Sequence, residues 1–142
     1  MTLHSLPLFV RLQGRPVILI GEGEAADAKR RLLERAGAVA VEEHGDAALA
    51  IVVDDDAAVA RLRARGVLVN AVDRPDLCDF TLPAIVDRSP VIVAIGTGGA
   101  SAGLAAALRQ RLEALLPASL GRLADALFAA REAWRGRFPD SG

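Results

Sequence analysis

The regular patterning of the chain begins with an unbroken apolar run, Val17-Ile18-Leu19-Ile20, set between Gly14-Arg15-Pro16 and Gly21. A short apolar run bounded by turn formers suits a strand buried on both faces of a parallel sheet. From about Glu24 to Ala36 the spacing becomes helical. Ala25, Ala28, Leu32, Leu33 and Ala36 recur at intervals of three and four on one face. Gly37 is placed to end that helix in the left-handed conformation. Val39-Ala40-Val41 reads as a second strand and Leu49-Ala50-Ile51-Val52-Val53 as a third. The segment from Asp56 to Arg65 predicts a helix with Asp56 as N-cap and Gly66 as stop, and Val67-Leu68-Val69 predicts the next strand. Strands alternating with helices specify an α/β fold built on a parallel sheet.

Near Arg74 the pattern changes. Two strand-like runs, Thr81 to Val86 and Val91 to Ile95, flank Asp87-Arg88-Ser89-Pro90, which is turn chemistry and predicts a hairpin or a sharp strand reversal. Gly96-Thr97-Gly98-Gly99 then opens a helix from about Ser101 to Leu115, which Leu116-Pro117 interrupts. A last helix from about Leu120 to Trp134 carries Leu120, Leu123, Leu127 and Ala130 on one face, and residues 138–142 read as a frayed tail. The expected organisation is a Rossmann-like domain over residues 1–79, a small α+β region over 80–118 and a short helical tail over 119–142.

Composition narrows the function. The chain has 142 residues, of which 52% are apolar, enough for an ordinary globular core. A net charge of −1 offers no basic surplus for a phosphate polymer, so nucleic acid is not the expected partner. Lys29-Arg30-Arg31 reads as a solvated helix face. Cys78 is the single cysteine, and His4 and His44 are far apart, so no metal-ligand spacing is present. No apolar run reaches the roughly 18 residues of a membrane span and no secretory signal pattern opens the chain. A cytoplasmic protein is expected.

The first candidate for chemistry is Gly21-Glu22-Gly23-Glu24-Ala25-Ala26, a G-x-G-x-x-A form of the dinucleotide-binding fingerprint. Gly21 permits a tight turn out of the strand, Gly23 lets a pyrophosphate approach the backbone, and Ala26 lets the helix pack close to the sheet. Glu42 or Glu43 lies about 20 residues on, where a carboxylate binds the ribose 2′-hydroxyl and repels a 2′-phosphate, so NAD is expected over NADP. The plainer reading of the loop is a tight turn without ligand, and Glu22 and Glu24 bring negative charge to it. Asp73 follows the fourth strand, at the sheet end where open α/β folds bind ligands. A carboxylate there can act as a proton acceptor; the alternative is a turn former before Pro75. Asn70, directly after that strand, is a candidate to hold cofactor or substrate. In the second Gly-rich loop, Thr97, Gly98, Gly99 and Ser101 open a helix whose N–H groups suit carboxylates, and Arg88 is a further candidate carboxylate partner.

An ordered set of segments carries a family resemblance: Leu6-Pro7-Leu8-Phe9, Gly21-x-Gly23, Lys29, Asn70-Ala71-Val72-Asp73-Arg74-Pro75, the stretch from Phe80 to Pro90, Gly98-Gly99-Ala100-Ser101 and Leu115-Leu116-Pro117. The chain resembles, from about Leu6 to Gly121, the precorrin-2 dehydrogenase/sirohydrochlorin ferrochelatase family, the N-terminal module of siroheme synthase. The resemblance implies an NAD-binding Rossmann domain followed by a dimerisation domain and a helical domain. It implies oxidation of precorrin-2 to sirohydrochlorin with NAD⁺ as hydride acceptor, and, in many members, insertion of Fe²⁺ as a substrate metal. It gives Asp73 the position implicated in both steps and Thr97 a position at the tetrapyrrole site, within a homodimer. Two departures stand out. Glu42-Glu43-His44-Gly45-Asp46 replaces what is usually a longer segment with its own strand and helix, and the helical domain is shortened. A non-catalytic NAD- or tetrapyrrole-binding module is the rival reading. A short-chain oxidoreductase with a Tyr-x-x-x-Lys pair is excluded because the chain has no tyrosine.

Overall fold

The computed structural model describes residues 1–137, and the expected frayed tail lies outside the described residues. The chain divides into two compact units, Met1–Leu82 and Pro83–Gly142.

The first unit is a four-stranded, all-parallel sheet. Its strands are β1 (Pro16–Ile20), β2 (Val39–Val41), β3 (Leu49–Val52) and β4 (Leu68–Ala71), in the order β2-β1-β3-β4. Helix α1 (Gly23–Arg35) joins β1 to β2, and helix α2 (Asp56–Ala64) joins β3 to β4. The alternation of side chains along each strand builds two cores. Ile18, Ala50, Val52, Val69 and Ala71 pack with Ala58, Val59 and Leu62 of α2. Val17, Leu19 and Ile51 pack with Leu33 of α1. Burial on both faces is why these strands are continuous apolar runs.

The structure corrects the expected α1 face. Ala26 and Leu33 are the buried positions, whereas Ala25, Ala28 and Ala36 are exposed. Alanine is compatible with either side of a helix, so the spacing of alanines did not fix its rotation; the two-turn interval from Ala26 to Leu33 did. The N-cap of α2 is Asp55, one residue earlier than expected, its carboxylate accepting from the Ala58 N–H at 2.8 Å. Gly37 and Gly66 end their helices at φ of +72° and +80°, as expected.

The link from β2 to β3 passes β1 with seven residues and no helix. Side chains from α2 and its C-terminal cap hold it. Arg61 donates to both oxygens of Glu43 at 2.6 and 3.1 Å, and Arg65 donates to the carbonyls of Glu43 and Gly45. The outer edge of β4 is closed by the returning chain. Asp79 N–H donates to the Val69 carbonyl at 2.7 Å, while the Asp79 carboxylate accepts from Val69 N–H and from Arg63. The hydrogen bond from Arg63 is the main reason the Asp79 carboxyl lies below the ordinary carboxylate range. A depressed folded-state value means the contribution is complete above about pH 4, the unfolded aspartate range, and is lost as pH falls through the folded value. Asp79→Asn is therefore expected to lower stability by about 1 kcal/mol at neutral pH and to flatten its decline below about pH 4. Urea titrations across that range measure both.

The second unit is an antiparallel hairpin, β5 (Ala84–Arg88) and β6 (Val91–Ile95), with helices α3 (Ala102–Leu115) and α4 (Leu120–Arg137). The strand starts at Ala84 rather than Thr81, just after Pro83, whose nitrogen carries no hydrogen for a ladder. Asp87 and Arg88, expected in the turn, belong to the strand, and the Asp87 carboxylate accepts from the N–H and hydroxyl of Ser89 to shape the turn. Helix α4 approaches this turn at Gly121, where a Cβ would sit 2.9 Å from the Arg88 carbonyl. The expected apolar face of α4 is only partly covered within the chain, with Leu123 and Leu127 each 55% exposed.

Candidate functional site

Strand β1 leads through α1 to one side of the sheet, and β3 leads through α2 to the other. The chain thus reverses direction of travel between β1 and β3, and ligands of open α/β sheets bind beyond the carboxyl ends of the strands at such a point. Two loops meet that description, residues 21–22 after β1 and 53–55 after β3; residues 72–74 follow β4, one strand further out at the same end of the sheet.

The glycine loop is built by its neighbour. Gly21 has φ of +117°, and a Cβ there would sit 2.6 Å from Val53 Cβ and 2.8 Å from the Val53 carbonyl. The first glycine of the fingerprint is therefore demanded by the close pass of β1 against the end of β3 as well as by the turn. Gly23, at φ of +83°, has open space where a Cβ would be. Ala26 is buried against the sheet, as expected. Glu22 occupies the N-cap position of α1 but makes no side-chain capping bond. By contrast, Asp55 caps α2 and the Ser101 hydroxyl caps α3 by accepting from Leu104 N–H at 3.1 Å. Helix α1 is thus left with unfilled N–H groups and the positive end of its dipole facing an open approach, the arrangement that binds phosphate. Glu22, Glu24 and Ala25 are exposed beside it.

Of the two acidic candidates after β2, Glu43 is committed. The Arg61 hydrogen bond is the largest influence on its carboxyl, which lies below the ordinary glutamate value. Glu42, the first residue after β2, is exposed and has no side-chain partner among the described residues.

A cleft of about 290 Å³ opens between the carboxyl ends of β3 and β4 and the start of α2, lined by Val52, Asp54, Val59, Ala71, Val72 and Arg74 among others. Asp73 lies between the last two in sequence and does not itself line the cleft. Asp73 is exposed, has φ of +60° and has no side-chain partner among the described residues. Its neighbour Arg74, by contrast, is held by Asp56 and Asp76. Asn70 is 7% exposed and turned inward: its amide nitrogen donates to the Phe80 carbonyl at 2.9 Å and lies 3.6 Å from Cys78 Sγ. The Cys78 thiol, half-buried, donates to the Ala71 carbonyl at 3.1 Å. Sequence reasoning missed this inward use of Asn70, because its partner is a backbone carbonyl brought back by the loop.

The second loop lies in the other unit. There the Thr97 hydroxyl exchanges hydrogen bonds with the backbone of Ser101, and the Ser101 hydroxyl caps α3. Gly98 and Gly99 remain exposed. Arg88 is spent on the far end of that helix. It donates to the carbonyls of Glu113 and Leu116 at 3.0 Å each, and to Asp87. A guanidinium on the last carbonyls of a helix fills orphan acceptors and opposes the negative end of the dipole. Its role is a C-terminal cap, a use that no local spacing signals, since the partners lie 25 and 28 residues away. Arg88→Ala is expected to cost about 2 kcal/mol, read as a lower denaturation midpoint in urea. Among the described residues no cluster of histidine, cysteine and carboxylate groups could hold a metal ion, and no helix is long and apolar enough to cross a membrane.

Comparison with known proteins agrees with this geometry. A family described as putative NAD(P)-binding matches residues 39–84. Siroheme synthase of Methylobacillus flagellatus is 40% identical over 169 residues, covering 96% of this chain and 36% of that protein. Siroheme synthase of Ectopseudomonas mendocina is 40% identical over 97% of this chain and 37% of its own length, and that of Chromobacterium violaceum is 39% identical over 97% and 36%. The chain therefore spans a little over one third of these relatives. An alignment of 169 positions to a chain of 142 residues leaves at least 27 positions of the relative without a counterpart here. Among solved structures, "SirC, precorrin-2 dehydrogenase" shares the fold with a TM-score of 0.70 and 21% identity, over 89% of this chain and 79% of that one. Similarity of about 40% over nearly its whole length shows that the chain belongs to the siroheme synthase family, as the counterpart of about one third of those proteins.

Proposed function

We propose that this chain carries the NAD-dependent oxidation of precorrin-2 to sirohydrochlorin. The observation that carries the reading is Asp73, an unpartnered carboxylate in left-handed backbone at the carboxyl end of β4. A non-glycine residue held at positive φ is uncommon, and such positions gather at functional sites. The relatives named siroheme synthase and the fold shared with a precorrin-2 dehydrogenase support the same reading.

The residues fit the dinucleotide. The uncapped N-terminus of α1, with Gly21, Gly23 and Ala26, would hold the pyrophosphate, and Glu42 rather than the committed Glu43 would meet the ribose hydroxyls. Bound NAD⁺ supplies the hydride acceptor. Loss of two hydrogens from precorrin-2 also releases a proton, which the Asp73 carboxylate would accept. The same carboxylate would take protons from pyrrole nitrogens if Fe²⁺, as a substrate, is inserted afterwards. In the second unit, the exposed backbone of Gly98 and Gly99 is what that loop offers a substrate carboxylate, since the Thr97, Ser101 and Arg88 side chains are engaged. Anaerobic incubation with precorrin-2 and NAD⁺ tests the reading: the sirohydrochlorin spectrum should appear with the wild-type chain and not when NAD⁺ is omitted.

The second reading is a non-catalytic binding module. The observation that favours it is the pair of exposed carboxylates, Glu22 and Glu24, beside the phosphate-binding turn. It predicts NAD⁺ binding without turnover.

We also propose a homodimer formed through the second unit, in the cytoplasm. A two-stranded sheet is marginal alone, and this unit exposes Leu104, Leu108, Leu123, Leu127, Phe128 and Trp134. Sedimentation at micromolar concentration should give a dimer, and a stable monomer there would contradict it.

A further inference from the structure

We infer that Asn70 is a positioning residue: it holds the loop that presents Asp73. This inference rests on the reading of Asp73 as the proton acceptor.

Asn70 is the one buried polar side chain among the described residues. It interrupts an otherwise apolar strand, on the face opposite Val69 and Ala71 and in register with Ile51. An amide at such a position is retained only where its hydrogen bonds are made. Here the donor bonds are made to the returning chain. The amide nitrogen donates to the Phe80 carbonyl and its other direction meets Cys78 Sγ. The Cys78 thiol in turn donates to the Ala71 carbonyl, and Asp79 exchanges two bonds with Val69. Residues 69–71 and 78–80 are thereby fastened together. Asp73 lies at the head of the loop they close.

Two consequences follow. With its amide nitrogen engaged by Phe80 and Cys78, Asn70 has no donor left for a ligand. The left-handed conformation of Asp73 is one that an L-residue keeps only when its surroundings impose it, and the Asn70 bond is the buried part of that constraint. Misplacing a reacting group by about 1 Å costs on the order of 100-fold in rate, so the loop closure bears on turnover while leaving cofactor affinity alone.

The test combines kinetics and hydrogen exchange on the full chain. Asn70→Ala is expected to lower kcat by about 100-fold, with KM for NAD⁺ within about twofold of wild type. The same substitution made on an Asp73→Asn background should add no further loss, because it acts through Asp73. A raised KM for NAD⁺ with unchanged kcat would overturn the proposal, as would an equal loss in both backgrounds. Should Asn70→Ala not fold, Asn70→Ser, which keeps a donor, gives the same split with a smaller drop. If the wild-type chain itself gives no turnover, the dehydrogenase reading fails. Positioning is then decided by amide exchange: faster exchange confined to residues 72–80 in the variant supports it, and unchanged exchange there overturns it.

Discussion

Asp73→Asn is expected to reduce precorrin-2 oxidation by at least about 100-fold, the scale of a lost general base, with NAD⁺ affinity unchanged. The choice of asparagine matters. Asp73 sits at φ of +60°, and asparagine tolerates that backbone as well as aspartate does. Alanine there would add about 1–2 kcal/mol of backbone strain and confuse a lost carboxylate with a moved loop. The carboxylate has no side-chain partner among the described residues, so removing its charge breaks no ion pair, and stability should change by no more than about 0.5 kcal/mol. Turnover under anaerobic conditions, NAD⁺ calorimetry and a urea titration separate the three effects. Loss of both turnover and NAD⁺ binding would mean that Asp73 serves the cofactor site.

Gly21→Ala is expected to have the largest effect on the fold. The new Cβ would lie 2.6 Å from Val53 Cβ and 2.8 Å from the Val53 carbonyl, on a residue at φ of +117°. Neither obstacle is the end of a flexible side chain, so β1 and β3 must separate at their carboxyl ends. Overpacking costs about 1–3 kcal/mol and positive φ about 1–2 more, together a large share of the stability of a small domain. The result should be a destabilised first unit that no longer binds NAD⁺. Gly23→Ala is the control. It carries positive φ but meets nothing within 4 Å, so the expected loss is confined to backbone strain and phosphate approach. Equal denaturation midpoints for Gly21→Ala and wild type would contradict the close packing at the switch point.

The sheet was legible because its strands are apolar on both faces and its helices end at Gly37 and Gly66. Side-chain commitments were not. Arg88 and Asn70 find partners far along the chain, and only the folded backbone reveals that one caps α3 and the other ties the Asp73 loop. Glu42 and Glu43 are indistinguishable by spacing. The alternation after β2, with Arg61 on α2 and Arg65 just beyond its end, sends Glu43 into the crossover and leaves Glu42 free. Rotation of α1 was misread for a related reason, since exposed and buried alanines look alike in sequence. The turn at Gly21 was legible in the sequence, yet the strictest demand on that glycine comes from Val53, 32 positions later.

The most direct test of the account is the anaerobic reaction of the purified chain with precorrin-2 and NAD⁺, followed by NADH absorbance and the tetrapyrrole spectrum together. The account predicts that NADH and sirohydrochlorin appear in equal amounts. No NADH from a chain that still binds NAD⁺ by calorimetry would contradict it and leave a binding module in its place.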